Sequence, residues 1–119
     1  MIKKILIAIA IIAVITIVIF LFFRKPSMPS GIILFYGDGC PHCKNVDDYI
    51  AANNVATKVS FEEKEVFNNQ SNAKILENVA GFCGLPTDKV SVPFLWDGQN
   101  KKCMVGDIDV INFFSEKIK

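Results

Sequence analysis

No charged side chain stands between Ile5 and Phe23, and Thr16 is the one polar residue in that stretch. Such a run excludes an amphipathic surface helix, because isoleucine and valine occupy every face of it. As a helix it would rise about 28 Å, close to the thickness of a bilayer core. It also lacks the small residues of a cleavage site, ending Phe20-Leu21-Phe22-Phe23-Arg24. A secretory signal peptide has a shorter apolar core, about 7–15 residues. The reading is a retained transmembrane helix, with residues 1–25 as a membrane anchor.

An excess of basic charge is missing too. Of the 13 basic residues, Lys3, Lys4, Arg24 and Lys25 flank the apolar run. The remainder carries nine lysines against 12 acids, a net charge of about −3. That excludes a basic face for nucleic acid. The flanking cations balance two against two, and the α-amino group tips the N-terminus inward. The expected topology is a single pass with the N-terminus cytoplasmic and the rest of the chain extracytoplasmic. Internal repeats and low-complexity tracts are absent. With no second partner surface in view, a monomer is expected.

What remains is one small domain behind a linker, Pro26 to Gly31, whose two prolines and glycine stop the span. Ile32-Ile33-Leu34-Phe35-Tyr36 is a continuous apolar run between Gly31 and Gly37, the pattern of a central strand covered on both faces. A helix is expected from Pro41 to about Asn53, with Cys43, Val46 and Ile50 on one face. Partial alternation over Val55–Phe61 suggests a second strand, extending to Val66. The run Glu62-Glu63-Lys64-Glu65 is read as a solvated edge. Asn68 to Asn72 can cap a second helix carrying Leu76, Val79 or Ala80, and Cys83, stopped by Gly84. Val92–Trp96 and Lys102–Val105 read as a hairpin around Asp97-Gly98-Gln99-Asn100. A last helix starts at Asp107, with Ile108, Ile111, Phe114 or Ser115, and Ile118 in its inner stripe. Trp96 is expected to pack at the hairpin end, and Tyr36 and Phe94 either line a groove or join the core.

The chemistry concentrates at Cys40-Pro41-His42-Cys43. Two cysteines two residues apart, after a buried strand and at a helix start, suit redox exchange. A helix N-terminus offers unpaired N–H groups and partial positive charge, which stabilise a thiolate. Cys40 is therefore assigned as nucleophile and Cys43 as resolving thiol. His42, when protonated, would add positive charge beside Cys40. The competing reading is a zinc site, but a second C-x-x-C is lacking, and Cys83 and Cys103 stand alone. No metal is expected. Cys83 and Cys103 are open to two readings, buried free thiols or a second disulfide.

Strand, Cys-Pro-x-Cys, helix, then Val92-Pro93, a hairpin, Gly106-Asp107 and a helix resembles the thioredoxin superfamily over residues 32–118. In length the domain is similar to the glutaredoxin branch. Its Cys-Pro-His-Cys motif resembles the DsbA-type disulfide oxidases, where glutaredoxins usually have tyrosine at the third position. The resemblance implies an α/β fold, β-α-β-α-β-β-α with a central mixed sheet, over residues 32–119. It implies a cis peptide before Pro93, which would pack beside the cysteine pair. The Val92 backbone, and Pro41 beside it, would then meet an extended substrate. It further implies a thiol–disulfide oxidoreductase acting on protein thiols and disulfides, with no bound cofactor. Glutathione would be a co-substrate if Asp107 served its site. Here Val105 replaces the first glycine of the glutathione-binding pair, and Asp107 reads equally as a helix cap. The reading from a different class is a metal-binding or non-catalytic thioredoxin-fold module tethered to the membrane.

Overall fold

The protein is described by a computed structural model over residues 1–24 and 27–119. The boundary between anchor and linker, at Lys25 and Pro26, lies outside the described residues.

Helix α1 (Ile2–Phe22) has no buried residue. It is long and apolar enough to cross a membrane. A helix of a soluble core would instead bury a stripe. The one polar side chain of its uncharged stretch is satisfied internally, since the Thr16 hydroxyl donates to the Ala13 carbonyl at 2.8 Å. In hydrocarbon an unpaired hydroxyl would cost several kcal/mol on the alkane scale, about 4–8.

The remaining elements build a mixed α/β domain. They are β1 (Ile32–Tyr36), α2 (Pro41–Ala52), α3 (Val55–Lys58), β2 (Glu62–Glu65), α4 (Gln70–Phe82), β3 (Phe94–Asp97), β4 (Lys102–Val105) and α5 (Asp107–Lys117). The strand order is β2-β1-β3-β4. Strand β1 pairs in parallel with β2 and antiparallel with β3, and β3 and β4 form a hairpin.

The strand period of two decides which side chains meet which helices. Ile33 and Phe35 of β1, with Phe94 and Trp96 of β3, face one way onto Leu76, Val79 and Ala80 of α4. Leu34 and Leu95 face the other way onto Val46, Val55, Val110 and Phe114 from α2, α3 and α5. Phe94 is thus core, while Tyr36 is half-buried. Trp96 is fully buried, and its indole N–H donates to the Pro29 carbonyl at 2.8 Å.

Two expectations need correction. Val55–Phe61 is not a strand. Asn54 takes a left-handed conformation (φ 51°), and the chain restarts as the one-turn helix α3. The Val59 N–H donates to the Val55 carbonyl at 2.8 Å, and both side chains enter the core four residues apart, a helical spacing. The second strand is confined to the extension expected toward Val66, the charged run Glu62–Glu65, on the sheet edge. Charge on an edge strand blocks pairing with a foreign strand, so apolar alternation was the wrong signal there. In α5 the buried residues are Phe114, one of the two expected at that turn, and Val110, whereas Ile108 is 73% exposed.

Helix ends follow local chemistry. The Asn69 side chain accepts from the Asn72 N–H at 3.1 Å and caps α4. Gly84 follows its C-cap in the left-handed region (φ +73°), where a Cβ would be disfavoured. Asp97 is only 2% exposed, yet its carboxylate accepts from the Gln99 and Asn100 backbone and from the Asn100 amide, which closes the hairpin turn.

A candidate dithiol site at the end of the central strand

Strand β1 ends at Tyr36, and Gly37-Asp38-Gly39 turns the chain into α2. Gly39 has φ +74°, so a left-handed residue makes the turn. Gly37 is buried beneath the Phe67 ring, which occupies the place a Cβ would need. The turn is held from β2 by Glu65. Its carboxylate accepts from the backbone N–H groups of Phe67 (2.7 Å), Asn68 (2.9 Å) and Asp38 (3.4 Å). Burial alone would raise the Glu65 pKa, but these backbone donors outweigh it and hold it below the ordinary value.

Cys40 is the N-cap of α2 and Pro41 its first residue. Proline costs nothing there, because that N–H has no helical partner. The Cys40 sulfur accepts from the Cys43 N–H at 3.1 Å, so one orphan donor of the helix end already points at it. Cys40 and Cys43 are bonded, with their Cα atoms 5.2 Å apart. Cys40 is half-buried, whereas Cys43 is only 3% exposed. A partner can therefore reach the first sulfur far more easily than the second.

The Val92–Pro93 peptide is cis. Pro93 is fully buried, and the Val92 carbonyl oxygen lies 3.8 Å from the Cys40 sulfur. The Pro93 carbonyl accepts from the Gly106 N–H at 2.9 Å, which ties this loop to the start of α5.

Asp107 begins α5. One of its carboxylate oxygens accepts from the Ile108 N–H at 3.1 Å. The other accepts from the Asn45 amide at 2.7 Å and stands 3.1 Å from His42 Nδ1. A carboxylate can only accept, so Nδ1 carries the proton. The Asn45 amide first, and the His42 ring second, hold the Asp107 pKa below the ordinary aspartate value. His42, 71% exposed, is thus turned toward Asp107. Asp107 is not the helix cap expected: Gly106 is the N-cap of α5, and Asp107, its first residue, joins the N-termini of α2 and α5.

Asn45 and Glu65 were missed in the sequence. Asn45 follows His42 by three residues and so shares its helix face, which was a usable signal. Glu65 gave none, since its partners come from a turn and a loop that only the fold brings together. Pro41 lines a surface groove beside Cys40 and Cys43, together with Tyr36, Lys44 and Asp47. In that groove burial, reinforced by Asp48 and partly offset by Lys44, raises the Asp47 pKa. Exposed apolar side chains occur near the same end of the domain, Phe67 beside Gly37 and Ile108 beside Asp107.

Cys83 and Cys103 are bonded, which joins the C-cap of α4 to β4. The four cysteines therefore pair two and two. Set against protein-family models, curated proteins and solved structures, the chain matches none.

Proposed function

We propose that the chain is a membrane-anchored thiol–disulfide oxidoreductase of thioredoxin-superfamily type, with a glutaredoxin-like domain that exchanges disulfides with proteins through Cys40 and Cys43. One observation carries the reading. The more exposed sulfur of the pair sits at a helix N-cap and accepts a backbone N–H. That is where a thiolate is stabilised.

The exchange follows from the geometry. A substrate thiolate attacks the Cys40 sulfur, the Cys40–Cys43 bond breaks, and Cys43 leaves as thiolate and takes a proton. A second substrate thiolate attacks the substrate sulfur of the mixed disulfide. Cys40 leaves as thiolate, received by the Cys43 N–H and the helix end. Two electrons pass from the substrate dithiol to the pair, and the substrate gains a disulfide. Run backwards, the same steps reduce a substrate. Val92 and the buried Pro93 flank the attacked sulfur, and an extended substrate strand would lie along that backbone.

The Asp107 contacts favour protein substrates over glutathione. The carboxylate that would receive a glutathione ammonium already accepts from Asn45, His42 and the Ile108 N–H. The second disulfide favours an extracytoplasmic domain, because structural disulfides persist in oxidising compartments. The competing reading as a zinc module has less support, since its cysteines pair with one another.

The test is insulin reduction by the full chain in detergent, with Cys40→Ser as control. Activity in the wild type that is lost in the variant is expected; an inactive wild type overturns the reading. Labelling of Cys40 by a membrane-impermeant reagent on intact, mildly reduced cells tests the topology.

A further inference from the structure

The linker after the anchor is not a free tether. The Pro29 carbonyl accepts from the Trp96 indole, and the Gly31 carbonyl accepts from the Gly98 N–H at 3.0 Å. Met28 packs on the core cluster of β1, β3 and α4. A Cβ on Gly98 would collide with the backbone of Pro29, Ser30 and Gly31, so glycine is what allows the strands of chain to touch. Residues Met28–Gly31 are thus part of the domain. Whatever path Lys25 and Pro26 take, Arg24 through Ser27 can extend at most about 14 Å.

The register fixes which pole this strap occupies. Ile32 is opposite Asp97, and Asp97 is opposite Lys102, so the strap and the hairpin turn share one end of the sheet. Tyr36 and Glu65 end the sheet at the other pole, where the chain turns into Cys40. The five residues of β1 separate the poles by about 16 Å. Lys101, Lys102 and Lys117 are exposed at the strap pole, where Lys117 and Lys102 share a groove with Asp97 and Asn100. Asp97, Asp109 and Glu116 line the same groove, so acids there offset the lysines. A polar surface of mixed charge such as this is compatible with lipid headgroups.

We propose that Met28–Gly31 is a strap that holds the domain upright on its anchor, with the hairpin turn toward the headgroups and Cys40 at the far pole, so that its exchange partner is a protein segment projecting into the aqueous phase. Cysteines lying at the bilayer surface are out of its reach. The inference rests on the anchored, redox-active reading and narrows its partner class.

The test uses the full chain in vesicles whose headgroups carry an energy-transfer acceptor. One donor dye goes on Cys40 in a Cys43→Ser background. Another goes on Asn100→Cys in a Cys40→Ser, Cys43→Ser background. Transfer several-fold more efficient from position 100 than from Cys40 is expected. A 20-residue Gly-Ser insertion between Ser27 and Met28 should bring the two efficiencies together. Equal transfer in the uninserted chain, or stronger transfer from Cys40, overturns the proposal. Hydrogen exchange at the Gly98 amide is a second readout that needs no variant: slow exchange is expected, and exchange at the free-peptide rate overturns the strap. A chain that fails to float with vesicles would refute the anchor instead. A chain with the expected transfer but no insulin reduction would refute only the redox reading.

Discussion

Removing the Cys83–Cys103 bond should cost this domain much of its stability. The bond closes 20 residues of chain, from the end of α4 through β3 to β4. In the chain-entropy model a loop of that length is worth about 3 kcal/mol. The double variant Cys83→Ala, Cys103→Ala is the right perturbation, since it leaves no unpaired thiol and keeps the Cys40–Cys43 bond. Both sulfurs are half-buried, so lost packing adds to the entropic term. For a domain of this size 1 kcal/mol shifts the melting temperature by about 4–8 °C, so a fall of roughly 12–24 °C is expected. Trp96 is the sole tryptophan, fully buried and packed edge-on against Phe82 of α4 at 5.5 Å. Its fluorescence in a urea titration therefore reports the region the bond joins. A loss below about 1 kcal/mol would refute the reasoning. It would mean that α4 and β4 are held by packing alone, or that the unfolded chain is already compact there.

Three further outcomes follow from the site and the strap. Cys43→Ser should accumulate a mixed disulfide with a disulfide-bonded peptide, seen as a mass adduct on Cys40. The Cys40 thiolate opens the peptide disulfide, one peptide sulfur leaves as thiolate, and no Cys43 thiolate remains to release the other. Asp107→Asn should narrow its gap to wild type as the medium is acidified. The folded-state pKa is depressed by Asn45 and His42, so the stabilisation is full above the ordinary value of about 3.9 and disappears as pH falls through the depressed one. Urea midpoints at pH 6 and pH 2 check this, and a gap that is unchanged at pH 2 contradicts it. Gly98→Ala should destabilise by about 1–3 kcal/mol through overpacking against the strap, whereas Gly31→Ala, with open space around it, should be near neutral in thermal melts.

The strands and helices that bury an apolar face were legible because burial imposes a period. Ile32–Tyr36 sits between two helical layers and reads as an unbroken apolar run for that reason. The edge strand Glu62–Glu65 was caught only as the tail of a strand begun too early, because an edge is specified by what it must avoid. Helix α3 escaped for a similar reason. A single turn starting at a left-handed asparagine has too few residues to show a period. At the site, the cysteine pair announced itself through spacing, and Pro93 came only through the resemblance. The direction of His42 came through neither, because it depends on a carboxylate 65 residues away in sequence.

Two disulfides in one small domain raise the question of which one opens first. Loop length does not decide it. The entropy lost on closing a loop belongs to the unfolded chain, and in the folded state both sulfurs of each pair are already held together. What decides is how well the fold receives the thiolates and how readily a reductant arrives. Cys40 is the N-cap of α2, at the positive end of a helix, and accepts the Cys43 N–H. Cys83 is the C-cap of α4, at the negative end. The helix dipole therefore acts with opposite sign on the two, by about 0.3–1 kcal/mol each. Together that is roughly 15–45 mV for a two-electron couple. A graded dithiothreitol titration near pH 8 with alkylation and mass mapping should show Cys40–Cys43 opening first, while Trp96 fluorescence stays native. Opening of Cys83–Cys103 should come at stronger reduction and lower the urea midpoint. If Cys83–Cys103 opened first or at the same potential, the helix-end argument for Cys40 as the working sulfur would fail with it.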